Sequence, residues 1–441
     1  MLPWLLDAIY AAVLIAAAPW LAYRRWVQRK PIAGLREKLP GRIARQHPDR
    51  PCVWFHAVSV GEVLQLPSLV ADFLARHPGW EVLITTTTGT GFDVARQKFP
   101  QHTIAYWPLD FSHAVTTALR TVRPELVVLV ELELWPNFLL AADRLGIPVV
   151  LVNARLSAKS YRGYRWLKPV LRPILRTLSQ VAAQTEEYAA RLIDLGVPAD
   201  RVTVTGNIKY DRVQSDRKNA KTAELRASFG LSDDAVVLIA GSTQDPEERY
   251  AMEAYLALRD EFPSLRLVVV PRHKERFEEV TQLISSLKLP IVRRSEKSAK
   301  PQAMTMPAGS EQPVLLLDTL GELAACWGLA DIAFVGGSLT NRGGQNMLEP
   351  AGYGAAVLFG PNTWNFRDIV EQLLSRDAAV VIRDRDELRE TVRRLLRDHT
   401  ERQRLGDAAR AFVLTQQGAT RLTLDVIDAA ISAPMCRSFA A

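Results

Sequence analysis

Residues 52–62 read Cys-Val-Trp-Phe-His-Ala-Val-Ser-Val-Gly-Glu, and this stretch decides the class of fold. A largely apolar run, interrupted by His56 and Ser59, leads into a glycine and a carboxylate, which is typical of a buried strand that turns into a helix. The same arrangement recurs along the chain. Because strands that alternate with helices indicate parallel sheets covered by helices, we predict an α/β protein.

The candidate strands form two series, and a chain of 441 residues is too long for one ordinary core. The strands are predicted at 52–57, 81–85, 103–107, 125–131, 149–152, 180–183 and 202–205, and then at 235–240, 265–270, 314–318, 331–335, 355–359 and 379–382. The polar stretch from Asp211 to about Thr222 is the best interdomain linker. We therefore expect two doubly wound, Rossmann-like domains facing a cleft at the carboxyl ends of their strands.

The predicted boundaries are 1–30 for an N-terminal anchor with its basic flank, 31–212 for the first domain, 223–415 for the second domain, and 416–441 for a C-terminal helix and tail.

The first 23 residues are apolar except for Asp7, and the uninterrupted apolar run covers 8–23. This run is shorter than the roughly 20 residues that a full span prefers, so it could span with tilt or insert from one side. A cleaved signal peptide is the alternative, but its positive charge precedes the apolar run, whereas here Arg24 and Arg25 follow it. The positive-inside rule places the rest of the chain in the cytoplasm.

The formal net charge is +7, and the excess of basic residues is distributed unevenly along the chain. Residues 155–176 contain seven Lys or Arg and no acid, interleaved with tyrosines, leucines and Trp166, which favours a membrane interface over a merely solvated basic face. Nucleic acid is disfavoured as a partner because no recognition motif accompanies the charge.

Cys52, Cys326 and Cys436 lack any paired spacing, which indicates a reducing compartment and no structural zinc site.

Ser59, Gly61 and Glu62 lie at the predicted turn from the first strand into a helix. Gly61 would allow a sharp turn and close ligand approach, and Glu62 would fall in the first helical turn. A helix-capping role explains Glu62 taken alone better than a catalytic one, since acids are enriched in first turns. The helix end is expected to lower the pKa of Glu62, and desolvation on domain closure is expected to raise it again.

A second acidic motif, Glu131-Leu-Glu133-Leu-Trp-Pro-Asn137, follows an apolar strand. Two carboxylates at positions i and i+2 point the same way if the strand continues, so one of them could face the cleft beside Glu62. A solvated strand end explains the pair equally well.

The second half carries small or basic residues at successive predicted strand ends. Gly241-Ser242-Thr243, Pro271-Arg272-His273 and Gly336-Gly337-Ser338 each follow a strand, and Asn346 and Glu349 follow a Gly-rich loop. Backbone amides at such turns suit a phosphate, and the amide and carboxylate suit ribose hydroxyls. Asp384-Arg-Asp386 has the spacing of some metal sites, but a helix cap is the better interpretation, so no metal is predicted.

Six motifs in order resemble the Kdo transferases, which transfer 3-deoxy-D-manno-oct-2-ulosonic acid (Kdo) from CMP-Kdo to a lipid A precursor. They are His-Ala-Val-Ser-Val-Gly-Glu62, Glu-Leu-Glu-Leu-Trp-Pro-Asn137, Asn-Ala-Arg-Leu-Ser157, Gly-Asn-Ile-Lys209, Pro-Arg-His273 and Gly-Gly-Gln-Asn-Met-Leu-Glu-Pro350. The resemblance covers nearly the whole chain. It implies the glycosyltransferase-B fold, an inverting mechanism without metal or cofactor, and a place on the cytoplasmic face of an inner membrane.

The resemblance also implies the roles of individual residues. Glu62 would be the general base, and Glu131 or Glu133 would orient the acceptor or Kdo. The implied donor-binding residues are Lys209, Ser242, Thr243, Pro271, Arg272, His273, Gly337, Ser338, Asn346 and Glu349, and the implied acceptor-binding residues are Ser59, Gly61, Arg155 and Ser157. Two alternatives stay open: another membrane-associated nucleotide-sugar glycosyltransferase of the same fold, and a non-catalytic membrane protein that binds a sugar nucleotide.

Overall fold

A computed structural model describes residues 2–26, 34–296 and 312–432. The chain divides into two compact units, Met1–Arg212 with Gln417–Ala441, and Val213–Gln416. Residues 27–30 of the predicted basic flank, most of the loop predicted at 295–312, and Cys436 lie outside the described residues.

The first unit is built on a seven-stranded parallel sheet with the order β3-β2-β1-β4-β5-β6-β7. Its strands are β1 (Cys52–His56), β2 (Glu81–Thr86), β3 (Thr103–Tyr106), β4 (Leu126–Val130), β5 (Val149–Ala154), β6 (Gln180–Ala183) and β7 (Val202–Val204). The α-helices of this unit that precede the second unit in sequence are α1 (Leu2–Trp26), α2 (Leu35–Lys38), α3 (Val60–Val63), α4 (Leu66–Arg76), α5 (Gly89–Lys98), α6 (Ser112–Val122), α7 (Pro136–Arg144), α8 (Ala158–Trp166), α9 (Lys168–Leu175) and α10 (Glu186–Leu195).

Helices cover both faces of this sheet, so its central strands are apolar on both sides. Every residue of β4 is buried, and alternate side chains enter different apolar clusters. Val127 and Leu129 pack with residues of α6, α7, α9 and α10, whereas Val128 and Val130 pack with residues of α4 and α5 on the other face. The sheet is therefore the middle layer of this unit.

The second unit repeats the architecture with the strand order β10-β11-β9-β8-β12-β13-β14, again parallel. Its strands are β8 (Val236–Thr243), β9 (Leu265–Pro271), β10 (Ile291–Arg293), β11 (Val314–Leu316), β12 (Ile332–Val335), β13 (Ala356–Phe359) and β14 (Ala379–Val381). Its helices are α11 (Ala220–Phe229), α12 (Glu247–Leu258), α13 (Phe277–Ser286), α14 (Leu323–Cys326), α15 (Leu348–Gly352), α16 (Arg367–Leu374), α17 (Arg385–Arg397) and α18 (His399–Thr415).

The predicted α/β class with two parallel sheets is confirmed. Strand β10 is absent from the sequence prediction, because a three-residue edge strand is too short to show an apolar run.

The last described helix, α19 (Ala419–Ser432), belongs to the first unit although it follows the second in sequence. Leu424, Ile427 and Ala430 are buried in the same cluster as Val150 and Ala182. The Asp211 carboxylate accepts hydrogen bonds from the amides of Gly418, at 2.6 Å, and Thr420. These bonds satisfy amides at the start of α19, as a helix cap does.

We expect Ile427→Ala to lower the free energy of unfolding by about 2–5 kcal/mol, because Ile427 is fully buried and truncation leaves a cavity. Urea denaturation would measure the loss. The control is Leu422→Ala on the same helix, where the side chain is 38% exposed and a much smaller loss is expected. Equal losses in the two variants would contradict the packing of α19 on the first sheet.

Candidate active site

Glu62 lies in the first turn of α3 and is 9% exposed. Its Oε1 accepts a hydrogen bond from Ser59 Oγ at 2.7 Å, and its Oε2 accepts one from the Val58 amide at 2.7 Å. The Glu62 amide in turn donates to Ser59 Oγ at 3.4 Å. Ser59 therefore caps α3, but the Glu62 carboxylate reaches back to the Val58 amide and the Ser59 hydroxyl, not to the Ser59 amide that a capping box uses. The capping interpretation describes these contacts correctly. Each carboxylate oxygen keeps a further lone pair for another donor.

Gly61 does not make the sharp turn that the sequence predicted. It lies inside α3 and has no positive φ. A Cβ atom at this position would meet only Ser59 Oγ, at 3.8 Å. The turn from β1 into α3 is therefore made by the extended backbone of Ser59, and the sharp-turn argument for Gly61 is wrong.

The pKa of Glu62 is raised, and the expected lowering by the helix end is wrong. Burial is the largest cause, and repulsion from Glu131 adds to it. Hydrogen bonds from Ser59 and Val58 and the positive charge of Lys209 act in the opposite direction without cancelling the burial. A raised pKa makes Glu62 a stronger base than a solvated glutamate.

Glu131 follows the last residue of β4 and has a φ of 63°, so the strand does not continue to Glu133. The argument that positions i and i+2 point the same way therefore fails. Instead, Glu131 Oε1 accepts from Gln65 Nε2 at 3.1 Å and pairs with Lys209 Nζ at 3.3 Å. A positive φ at a non-glycine residue is strained and persists only where surrounding contacts hold it.

Two residues to which the sequence analysis assigned no role supply those contacts. Asn153, near the end of β5, donates from Nδ2 to Gln65 Oε1 at 2.8 Å, and Gln65 donates in turn to Glu131. Asn153 has a φ of 53° and also accepts from the Ile208 amide at 3.3 Å, next to Lys209. Two sequence signals marked Asn153: it follows an apolar run directly, and it begins the Asn-Ala-Arg-Leu-Ser157 motif.

Glu133 differs from Glu131 in its electrostatic surroundings. Burial, followed by repulsion from Glu62 and Glu131, raises the pKa of Glu133 to about 7. Glu131 carries an ion pair with Lys209, whereas Glu133 is pushed towards its neutral form. A buried carboxylate with a strongly raised pKa, such as Glu133, is typical of a catalytic site.

His56 is the last residue of β1, close to this group in sequence. Its ring is fully buried and stacks on Trp107 with a centroid distance of 3.8 Å, and its Nδ1 lies 3.1 Å from the Thr85 carbonyl oxygen. Burial lowers the pKa of His56 to about 3, so the ring is neutral at physiological pH. It supports the strand end by packing rather than by charge.

Lys209, which the resemblance placed with the donor, lies in the first unit beside Glu131. The other proposed donor residues lie in the second unit. Ser242, with a φ of 54°, and Thr243 are buried at the end of β8, while Arg272 and His273 are exposed after β9. Helix α12 begins only at Glu247, so Ser242 and Thr243 do not form a helix N-terminus.

The loop after β12 holds a carboxylate where a phosphate was predicted. Glu247 is fully buried and accepts from the amides of Gly337 at 2.7 Å, Ser338 at 3.0 Å and Leu339 at 3.0 Å. It also accepts from the Gln244 amide at 3.0 Å. These amides are therefore engaged within the unit, which corrects the expectation that they cradle a phosphate. The signal missed was the pair of glutamates that begins four residues after Thr243.

The remaining donor residues lie at the same edge of the second sheet. Pro271 ends β9, and the Arg272 amide donates to the Thr243 carbonyl oxygen at 3.0 Å, joining the ends of β8 and β9. Asn346 Nδ2 donates to Glu349 Oε1 at 3.0 Å, and Asn346 Oδ1 accepts from the Leu348 amide at 3.1 Å. These two bonds order the start of α15.

Two proposed acceptor residues follow β5. Arg155 is exposed directly after the strand, and Ser157 caps α8 by accepting from the Ser160 amide at 3.2 Å. Within the described ranges, no group of three or more His, Cys, Asp or Glu could hold a metal ion. Asp384 caps α17 by accepting from the amides of Asp386 and Glu387, as the sequence indicated.

Both halves of the chain are similar to known glycosyltransferases. A family model described as 3-Deoxy-D-manno-octulosonic-acid transferase (kdotransferase) matches residues 33–212, and one described as Glycosyl transferase-like matches residues 331–423. The chain is 35% identical over 438 residues to the 3-deoxy-D-manno-octulosonic acid transferase of Bordetella pertussis, covering 95% of this chain and 98% of that protein. It is 34% identical over 377 residues to the Haemophilus influenzae protein of the same name, covering 85% and 86%.

Among solved structures, the UDP-GlcNAc 2-epimerase from Neisseria meningitidis bound to UDP-GlcNAc is similar with a TM-score of 0.56 and 15% identity. The match covers 86% of this chain and all of that one. At this identity the likeness shows the fold alone.

We expect Glu133→Gln to stabilise the protein increasingly as the pH rises. The folded state holds the pKa of Glu133 at about 7, above its ordinary value of 4.5, so the wild type loses stability as pH rises through that window. The neutral amide avoids this loss. Urea denaturation at about pH 5 and about pH 8 measures the difference, with the exposed Glu371→Gln as control. A pH-independent difference would contradict the raised pKa.

Proposed function

Since this chain belongs to the 3-deoxy-D-manno-octulosonic acid (Kdo) transferase family of glycosyltransferases, we propose that it moves Kdo from CMP-Kdo to the lipid A precursor lipid IVA with inversion, using Glu62 as general base. The observation that carries the residue assignment is the raised pKa of Glu62 within a group of three carboxylates. A helix cap alone needs no second or third carboxylate nearby.

In the proposed step, a hydroxyl oxygen of the acceptor attacks the anomeric carbon of Kdo while Glu62 takes the hydroxyl proton. The bond between the anomeric carbon and the CMP phosphate oxygen breaks, and CMP leaves with the electron pair. Attack on the face opposite the leaving group inverts the configuration. Protonation of Glu62 removes one negative charge beside Glu131 and Glu133, so the repulsion among them favours proton uptake.

We assign different tasks to Glu131 and Glu133, between which the sequence could not choose. Glu131 holds Lys209 through their ion pair and is itself held by Gln65, which suits a positioning role. Glu133 has a pKa of about 7 and is therefore partly protonated near neutral pH. In that form it would donate a hydrogen bond to an anionic substrate group, which an ionised carboxylate would repel.

Donor binding is assigned to the second unit. Arg272 and His273 are exposed at the end of β9, and Arg272 supplies a permanent positive charge for the phosphate. Asn346 and Glu349 would meet the ribose. Gly337 would contribute through the shape of its loop, since its amide already binds Glu247.

Acceptor binding is assigned to the first unit, where Ser59, Arg155 and Ser157 follow strands at the edge that also carries Glu62. The basic run 155–176 would attract the acceptor phosphates. The apolar α1 would keep the enzyme on the cytoplasmic face of the inner membrane. One described helix, with its window at Pro3–Trp20, is long and apolar enough to cross a membrane.

We expect Glu62→Ala to reduce transfer by at least about 10²-fold, because a positioned general base contributes about 10²–10⁴. CMP binding should stay close to the wild-type value, since the CMP contacts are assigned to the second unit. Mass spectrometry of lipid IVA incubated with CMP-Kdo reads the transfer and also counts the Kdo units added. Calorimetry with CMP reads the binding. Retained transfer in the variant would contradict the assignment of Glu62 as the base. Transfer by the wild type from UDP-sugars alone would contradict the assignment of CMP-Kdo as the donor.

We expect Lys209→Met to move the acidic limb of the pH–rate profile to higher pH. Lys209 lowers the pKa of Glu62, so its removal raises that pKa further and the ionised base appears later as pH increases. The control is Lys98→Met, an exposed lysine of α5 in the same unit. If Lys209→Met scales the rate down equally at every pH, the lysine does not act through Glu62.

A further inference from the structure

Helix α1 is attached to the first unit through its one acidic residue. Asp7 Oδ1 accepts from the amide of Ser112 and from Asn137 Nδ2, both at 2.9 Å, and Oδ2 accepts from the Ser112 hydroxyl. One turn later, Tyr10 donates its hydroxyl to Asp110 at 3.0 Å. Asp7 thus meets the starts of both α6 and α7, where amide groups need an acceptor.

Further residues of α1 on both sides of Asp7 are covered by the first unit. Pro3 is buried, and Leu6, Asp7, Tyr10, Ala11 and Ala17 are half-buried, which is the spacing of one helical face. Because residues 12–16 are exposed, the covered face is concentrated between Pro3 and Ala11, a length of about 12 Å at about 1.5 Å per residue. The opposite face carries the exposed side chains of Trp4, Leu5, Ile9, Val13 and Ile15.

A helix docked in this way cannot cross a bilayer with Arg24 and Arg25 at the cytoplasmic surface. Asp7 would then lie about 25 Å from that surface at about 1.5 Å per residue. Ser112 and Asn137 would be carried with it into a hydrocarbon core about 30 Å thick, although α6 exposes polar and charged side chains on its surface. The reverse orientation would place Arg24 and Arg25 on the far side, against the positive-inside rule.

A second apolar and basic surface lies on the same side of the first sheet. Helix α9 packs on the cluster that also receives α6 and α7, which carry α1. Around the junction of α8 and α9, Trp166 is 88% exposed, and Leu167 and Val170 are exposed beside it. Arg162 and Arg165 on α8 are exposed as well. Aromatic and apolar residues among cations match the interface of an anionic bilayer.

We propose that α1 lies in the plane of the membrane surface as a fixed part of the first unit, held there by Asp7, and that α1 and the α8–α9 junction together bind the anionic lipid surface. Helices α6, α7 and α8 all begin at the carboxyl edge of the sheet, which carries Glu62. The bilayer therefore meets the unit beside the carboxylates. The inference rests on the proposed membrane-bound transferase, but its tests require no transfer.

The topology test uses the full chain with one epitope tag at each end, and protease added to spheroplasts or to inverted membrane vesicles. Both tags should survive in spheroplasts and both should be cleaved in inverted vesicles. Cleavage of the N-terminal tag in spheroplasts would show a spanning helix and overturn the proposal. The C-terminal tag is the internal control for the cytoplasmic side.

Asp7→Leu makes the apolar stretch continuous from residue 2 to residue 23 and removes the attachment. We expect its N-terminal tag to become sensitive to protease in spheroplasts, because the released helix can now span. Asp7→Asn keeps an oxygen acceptor for Ser112 and should retain the wild-type pattern. An N-terminal tag that stays protected in Asp7→Leu would overturn the role of Asp7.

The lipid test measures partition of the purified chain onto vesicles with and without phosphatidylglycerol. The pair Arg162→Glu and Arg165→Glu should lower partition onto the anionic vesicles by about tenfold or more, since two attracted cations become two repelled anions. The matched control, Arg383→Glu with Arg385→Glu in the second unit, makes the same change in net charge on exposed arginines. Equal losses in both pairs would overturn the surface assignment. Failed transfer with wild-type partition would instead count against the proposed function.

Discussion

The burial of Glu62 and Glu133 in the company of a further carboxylate, Glu131, is the constraint on which the candidate site depends. Burial and mutual negative charge raise the pKa of Glu62 and Glu133, so the folded unit holds groups that would be more stable apart. Lys209 offsets part of this repulsion through its ion pair with Glu131. The arrangement therefore favours proton uptake by Glu62, which is what a general base needs.

That arrangement is kept in place by uncharged polar groups rather than by further charges. Asn153 and Gln65 link the end of β5 to Glu131 through hydrogen bonds, and both Asn153 and Glu131 have positive φ angles. Neutral amides can hold a carboxylate without cancelling its charge. The two parallel sheets supply the rigid base, because strands that are apolar on both faces are buried between helices.

The two units share the same sheet topology, but the charged groups at their strand ends differ. In the first, burial and the charge of neighbouring carboxylates raise the pKa of Glu62 and of Glu133. In the second, Glu247 turns inward and binds the amides of Gly337, Ser338 and Leu339, leaving Arg272 exposed at that edge. A glycine-rich loop after a strand is thus no proof of a phosphate site, because a buried carboxylate of the same unit satisfies the same donors.

The sequence by itself determined the class of fold, since apolar runs separated by helical stretches require buried parallel strands, and it singled out Glu62, Glu131 and Glu133 because they follow such runs. Only the tertiary structure decided what those residues experience. Three features depend on residues that are far apart in sequence. They are the raised pKa of Glu62, the pairing of Lys209 with Glu131, and the docking of Asp7 against α6 and α7. Burial and charge depend on neighbours in space, and local sequence patterns carry no record of them.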